Sequence, residues 1–275
     1  PPRSTLFPYT TLFRSASVEL EPFQIALIAL ASGAIAGIAH KARVLDLVGA
    51  ILAFLICFIS ATMGHWSWLV LLLIFVGGSF LATRFGFHYK LQIGVEESKE
   101  GIRGGTNVLS NGAVPALVAL VYGGGWISPE QALIAFTTAL AAAAADTLAS
   151  EIGVFAPAPV LITSPRTRVP PGTDGGISLI GSLAAGLSAL SMSMISLAVF
   201  VLVGWPEGFE WKQTGNFDFL LLFLPAMLGF AGCQLDSVLG ATAERWGWLG
   251  KGGVNFVAIG ISALISLPLL DFFRN

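Results

Sequence analysis

The 275-residue chain is 55% hydrophobic and only 11% charged, with a net charge of −2 and a mean hydropathy of +0.81. Soluble domains carry about 25% charged residues, and a nucleic-acid binder needs a clustered basic footprint, so both classes are excluded. Cys57 and Cys233 lie inside apolar runs, without metal-site or disulfide spacing.

Residues 1–15, PPRSTLFPYTTLFRS, have a Pro-broken pattern without the h-region of a signal peptide, and read as an artefactual or disordered leader. Residues 20–272 read as a single transmembrane domain. Apolar runs predict spans near 23–39, 44–62, 66–83, 107–123, 130–150, 177–203, 218–240 and 254–270. Several reach the roughly 17–25 residues that cross a hydrocarbon core. They are continuously apolar rather than alternating, which predicts an all-α polytopic bundle of about eight helices and excludes a β-barrel.

Cationic residues fall on alternate loops. Lys41 and Arg43 follow the first span; Arg84, Lys90, Lys99 and Arg103 the third; Arg166 and Arg168 the fifth; Arg245 and Lys251 the seventh. Outside the leader, with its Arg3 and Arg14, the opposite side holds only Lys212 and Arg274. The positive-inside rule therefore predicts cytoplasmic odd loops and both termini on the far side, in the plasma membrane of a prokaryote. The far-side segment 205–218 is expected to rest Trp205 and Trp211 at headgroup level.

A small pattern recurs before three spans: Gly104-Gly105-Thr106-Asn107, Gly175-Gly176-Ile177-Ser178 and Gly252-Gly253-Val254-Asn255. Its spacing suggests three related helical hairpins. Asn and Ser are good helix N-caps, and glycine lets backbone approach a ligand, so three such ends would cradle phosphate. Caps and turns at membrane entry explain each pair equally well.

Asp146 and Glu151 stand at the end of the fifth span, Asp236 and Glu244 at the end of the seventh, and Asp174 in the turn before the sixth. Asp236 and Glu244, eight apart, share a helix face, as do Asn107 and Asn111, four apart. Carboxylates at membrane depth need compensation. Two kinds are open: ion pairs with Arg103, Arg166, Arg168, Arg245 or Lys251, or a divalent cation such as Mg²⁺, which favours oxygen ligands. His40, His65 and His88 are scattered, which argues against a transition metal.

RGGTNVLSNG at 103–112, ADTLASEIG at 145–153, GTDGGIS at 172–178 and DSVLGATAER at 236–245 together resemble the membrane-protein family catalogued as domain of unknown function ninety-two. The resemblance spans roughly residues 20–272. The family's plant chloroplast member is a phytyl-phosphate kinase, so the resemblance implies phosphoryl transfer from a nucleoside triphosphate, CTP in that case, to an isoprenoid monophosphate. Carried onto this chain, it marks Asn107, Asn111, Asp146, Glu151, Asp174, Asp236 and Glu244 as candidates; we read the five carboxylates as catalytic residues, with Mg²⁺ expected on Asp146, Asp174 and Asp236. Arg103, Arg166, Arg168 and Lys251 would hold phosphates, beside Asn107, Asn111, Ser178, Asn255 and the three glycine pairs. No Walker loop occurs. The competing readings are a secondary transporter of a small anion or metabolite, with repeated hairpins around a polar site, and a non-catalytic scaffold.

Overall fold

The computed structural model describes residues 20–95, 101–206, 209 and 217–274. The leader with Arg3 and Arg14, Lys99, Trp211 and Lys212 lie outside the described residues.

The apolar runs form helices close to their predicted bounds. These are α1 (Pro22–Lys41), α2 (Leu47–Ile59), α3 (Ser67–Arg84), α5 (Gly105–Gly123), α6 (Pro129–Gly153), α7 (Leu179–Val203), α8 (Phe217–Leu239) and α9 (Lys251–Arg274), with a short α4 (Phe87–Ile93) after α3. A π-helical turn ends α2 at Ser60–Gly64 and another ends α8 at Gly240–Glu244. Caps set several starts. Ser128 and Gln131 form a capping box at α6 with Pro129 in the first turn, and Asp46 accepts from Gly49 N at 2.6 Å to start α2.

Seven of these helices, counting α2 and α8 with their π turns, are long and apolar enough to cross a membrane. The expected fourth span forms a helix, α5, but it is not one of these seven; its 19 residues include Thr106, Asn107, Ser110 and Asn111. Its polar first half lowers its hydropathy below that of its neighbours.

α6 is the hub, packing against α3, α5, α7, α8 and α9. Its run Ala141–Ala145 is buried, and small residues there let partner backbones close in. A β-carbon on Gly229 would stand 2.7 Å from that of Ala141, and one on Gly232 would meet Ser262 Oγ of α9 at 2.3 Å. Farther along, fully buried Trp68 of α3 stacks on Phe136 of α6 at 4.1 Å.

Contacts between loops confirm the alternation of the helices. At one end Leu45 bridges to Arg103, Gly86 abuts Phe155, Gly172 abuts Val95 and Gly175 abuts Ala241. At the other, Gly123 abuts Met63, His65 meets Gly204 and Gln131 donates to Asp271. Trp205, at this second end, is half-buried against Phe200 and Phe209.

The first end carries the motif loops and a small sheet that the all-helical pattern did not predict. Strands β1 (Val160–Leu161), β2 (Ser164–Arg168) and β3 (Gly176–Ile177) pair antiparallel in the order β2-β1-β3. Gly172 and Gly175, at φ of 78° and 74°, turn the chain between β2 and β3.

Candidate functional site

A cleft of about 320 Å³ opens at the motif end between α6, α7 and α8. Each wall is one helix face. α6 supplies Asp146, Ala149, Ser150 and Gly153; α8 supplies Cys233, Gln234, Asp236, Ser237 and Gly240. Apart from Gln234, these are the i, i+3, i+4 and i+7 positions of a helix. α7 adds Gly181 and Ser182, the loop before it Thr173–Ser178, and Glu244 and Lys251 close the rim. The close approach of α6 and α7 depends on glycine: a β-carbon on Gly181 would stand 3.1 Å from Ala149 O and 3.2 Å from Gly153 Cα.

Asp146 and Asp236 lie side by side within hydrogen-bonding reach, with Lys251 and Glu244 acting on Asp236 from farther off. Oδ2 of Asp236 is buried and has no hydrogen-bond partner. Asn255 Nδ2 donates to Asp146 Oδ2 at 3.1 Å, so α9 holds one of the pair. Asp174, in the loop between β2 and β3, packs against Gly240 at the start of the π turn; its carbonyl accepts from Arg245 and its charge acts on Glu244.

The three carboxylates expected to share one metal are therefore not grouped: Asp146 and Asp236 are side by side and Asp174 stands apart. Among the described residues, no group of three His, Cys, Asp or Glu side chains is placed to hold a metal ion. Asp174 shares the cleft but not the pair. Two carboxylates are nonetheless sufficient for Mg²⁺ when substrate phosphates complete its shell, and the unpartnered Oδ2 beside a second carboxylate fits a cation.

Other expected residues lie elsewhere. Glu151 points into a separate buried cluster: Lys90 Nζ bonds its Oε2 at 2.6 Å, Thr83 donates to Oε1, and Arg103 is 3.9 Å away. Five residues separate Asp146 from Glu151, about 140° around a helix, so the two face different neighbours. Arg103 is buried with that cluster and also bonds Ser79 O and Asn107 Oδ1. Arg166 and Arg168 are exposed on β2 and do not line the cleft.

The glycine repeat also separates into different roles. Of the three repeats the second alone, Gly175 to Ser178, lines the cleft; Gly104 and Ser178 are N-caps, and of these Ser178 caps with its side chain, accepting from Gly181 N at 3.1 Å. Asn107 and Asn255 sit inside α5 and α9, because those helices begin at or before the glycines. Gly105 and Gly252 are packing contacts, 2.5 Å from Val48 and 2.9 Å from Thr106 when given a β-carbon. Asn111 donates to Asn107 O within α5. Ser150, Ser182, Gln234 and Ser237 are cleft residues that motif reading passed over. Ser150 and Ser182 were legible one turn beyond Asp146 and Ser178.

The profile of the family described as integral membrane protein DUF92 matches residues 30–263. The chain belongs to the DUF92 family. Within it, the chain is 32% identical to an uncharacterized membrane protein of Methanocaldococcus jannaschii, over 82% of this chain and 86% of that protein. Protein PGR of Arabidopsis thaliana is 28% identical over 89% of this chain and 95% of its own length. The chloroplastic protein VTE6 of the same plant is 26% identical over 70% of this chain and 55% of its own length. No solved structure matches. The family match covers α6, α7 and α8, the cleft-forming helices of this DUF92 protein, an integral membrane protein.

Proposed function

We propose that this chain is a membrane-embedded phosphotransferase that moves the γ-phosphoryl group of a nucleoside triphosphate, with CTP the expected donor, to an isoprenoid monophosphate. The family's inclusion of a prenyl-phosphate kinase supports the reading. The observation that carries it is the Asp146–Asp236 pair, one oxygen unpartnered, in a cleft rimmed by Lys251.

The reaction needs little from the protein beyond placement. An oxygen of the acceptor monophosphate, already ionised at neutral pH, attacks the γ-phosphorus; the bond to the β,γ-bridging oxygen breaks, and the nucleoside diphosphate leaves with that electron pair. No general base is required. Positioning and neutralisation of charge dominate such transfers. Lys251 brings a cation to the phosphates, and the N-terminus of α7 forms a wall where helix N–H groups favour anions. Mg²⁺ held by Asp146 and Asp236 would supply the remaining neutralisation. Leu179, Ile180, Leu183 and Leu187 of α7 are exposed beside the cleft and offer apolar surface to a prenyl tail.

The motif end is assigned to the cytoplasm of a prokaryotic cell, where the soluble donor is found, in line with archaeal and cyanobacterial relatives. A transporter would place its site near the midplane, whereas Asp146 lies seven residues from the end of α6, about 11 Å of helix.

Purified protein should be given Mg²⁺, each of the four nucleoside triphosphates, and a panel of prenyl alcohols and monophosphates. Formation of a prenyl diphosphate from one donor is the expected result. No transfer with any pair, together with counterflow of a labelled organic anion in proteoliposomes, would overturn the reading in favour of a transporter.

A further inference from the structure

A second concavity, of about 480 Å³, lies at the motif end away from the acidic cleft. It is lined by Arg43 between α1 and α2, Arg84 at the end of α3, Phe87, His88 and Leu91 of α4, and Ile102. Three basic side chains from three separate elements thus meet over an apolar floor.

The backbone at Arg43 and the side chain of Arg84 are both constrained. Arg43 has a φ of 56°, a region that residues with a β-carbon seldom adopt. Arg84 lies over the Phe80 ring at 5.2 Å and the Phe87 ring at 5.9 Å, contacts that fix a guanidinium while leaving its edge to donate. Gly101, at φ 73°, backs the same side chain: its β-carbon would stand 3.6 Å from Arg84 Nε. Arginines placed only to orient the chain in the membrane would show no such convergence. Arg166 and Arg168 serve as the internal comparison, being exposed at the same end and lining neither cavity.

We propose that this groove is a site for a phosphate-bearing anion, with the headgroup of an anionic phospholipid as its occupant. Basic pockets between helices at a cationic membrane face bind such headgroups. The floor of Phe87, Leu91 and Ile102 accepts the start of an acyl chain, and α4 also exposes Tyr89 and Ile93, as a helix at the interface would. α4 runs on into Gly94 and Val95, which line the acidic cleft, and buried Lys90 anchors it to Glu151. The groove therefore adjoins the cleft through one short helix, and its assignment does not depend on the reaction proposed above.

The test follows thermal unfolding of the full chain in neutral detergent, titrated with phosphatidylglycerol, phosphatidylcholine or inorganic phosphate. Phosphatidylglycerol should raise the wild-type Tm, with half-saturation weakened on the order of tenfold to thirtyfold in R43Q/R84Q, since each arginine near an anionic headgroup contributes about 1 kcal/mol. R166Q/R168Q should respond as wild type does. Inorganic phosphate reproducing the effect, with the same loss in R43Q/R84Q, would keep the anion site and make its source soluble. A response to phosphatidylcholine as large as to phosphatidylglycerol, an unchanged response in R43Q/R84Q, or an equal loss in R166Q/R168Q would overturn the proposal. R84Q alone decides by the same criteria if the double variant does not fold.

Discussion

The side-chain amide of Asn255 donates to Oδ2 of Asp146 at 3.1 Å, joining two helices whose residues are 109 positions apart in the chain. It leaves the Asp146–Asp236 pair with one oxygen satisfied by α9 and another, Oδ2 of Asp236, without a partner. Asn255→Ala should remove one hydrogen bond from a half-buried carboxylate, a loss of about 1.5–3 kcal/mol for a bond to a charged group. The expected outcome is a lower Tm and reduced phosphoryl transfer, measured on the same preparation. Unchanged turnover would show that Asp146 needs no support from α9.

The glycine repeats give a second test. Gly175 has a φ of 74°, and a β-carbon there would lie 2.4 Å from that of Ala241 and 2.7 Å from its backbone. Gly175→Ala should therefore cost more than the roughly 1 kcal/mol of a strained φ alone and displace the π turn carrying Glu244. Gly253 is in α9, and the nearest atom to its β-carbon would be a Leu249 side-chain carbon at 3.4 Å. Gly253→Ala should be neutral or gain up to about 1 kcal/mol in helix propensity. Equal losses of activity in both variants would revive the three-part phosphate cradle; loss in Gly175→Ala alone is expected.

The contrast shows what the sequence could and could not express. Seven of the eight long helices were legible because each is a continuous apolar run, and lipid leaves the backbone no alternative to helix there. α4 was not, since FHYKLQI is seven residues of mixed polarity, and β1 to β3 are two to five residues within a Pro- and Gly-rich stretch. Asp146, Asp236 and Lys251 could be named from their motifs, but the partner of Glu151 could not: Lys90 is 61 residues away in the helix that sequence reading missed. The π turn after α8 also shifts Glu244 relative to Asp236 by an amount that straight-helix spacing does not contain.

At the opposite end of the bundle, burial pushes the His65 imidazole down to about 4, and its Nδ1 accepts from the backbone N–H of Ser67 at 3.3 Å. The unfolded chain takes up a proton near 6.5, the folded one only near 4. The unfolded state thus binds more protons between these values, and stability falls as pH drops through that window and is fully present above it. Wild-type Tm should decrease between pH 7 and pH 4.5, and His65→Gln should flatten part of that decrease. An identical pH profile in the variant would remove His65 from the account.

Glu151→Gln and Asp236→Asn should differ in sign, although both neutralise a carboxylate in the same end of the bundle. Glu151 is ion-paired to buried Lys90 at 2.6 Å with Arg103 beside it. Removing its charge takes the counter-ion from buried Lys90, and breaking a buried pair costs about 3–5 kcal/mol. Glu151→Gln should lower Tm sharply, and Lys90→Met in the same chain should recover part of the loss. Asp236 adjoins another carboxylate instead, so Asp236→Asn relieves repulsion and desolvation and should leave Tm equal or higher while phosphoryl transfer is abolished. Mg²⁺ that binds only the folded state raises Tm by mass action, and it should do so in wild type and in Glu151→Gln but much less in Asp236→Asn. Full activity in Asp236→Asn, or a Mg²⁺ response that survives the substitution, would remove Asp236 as a cation ligand.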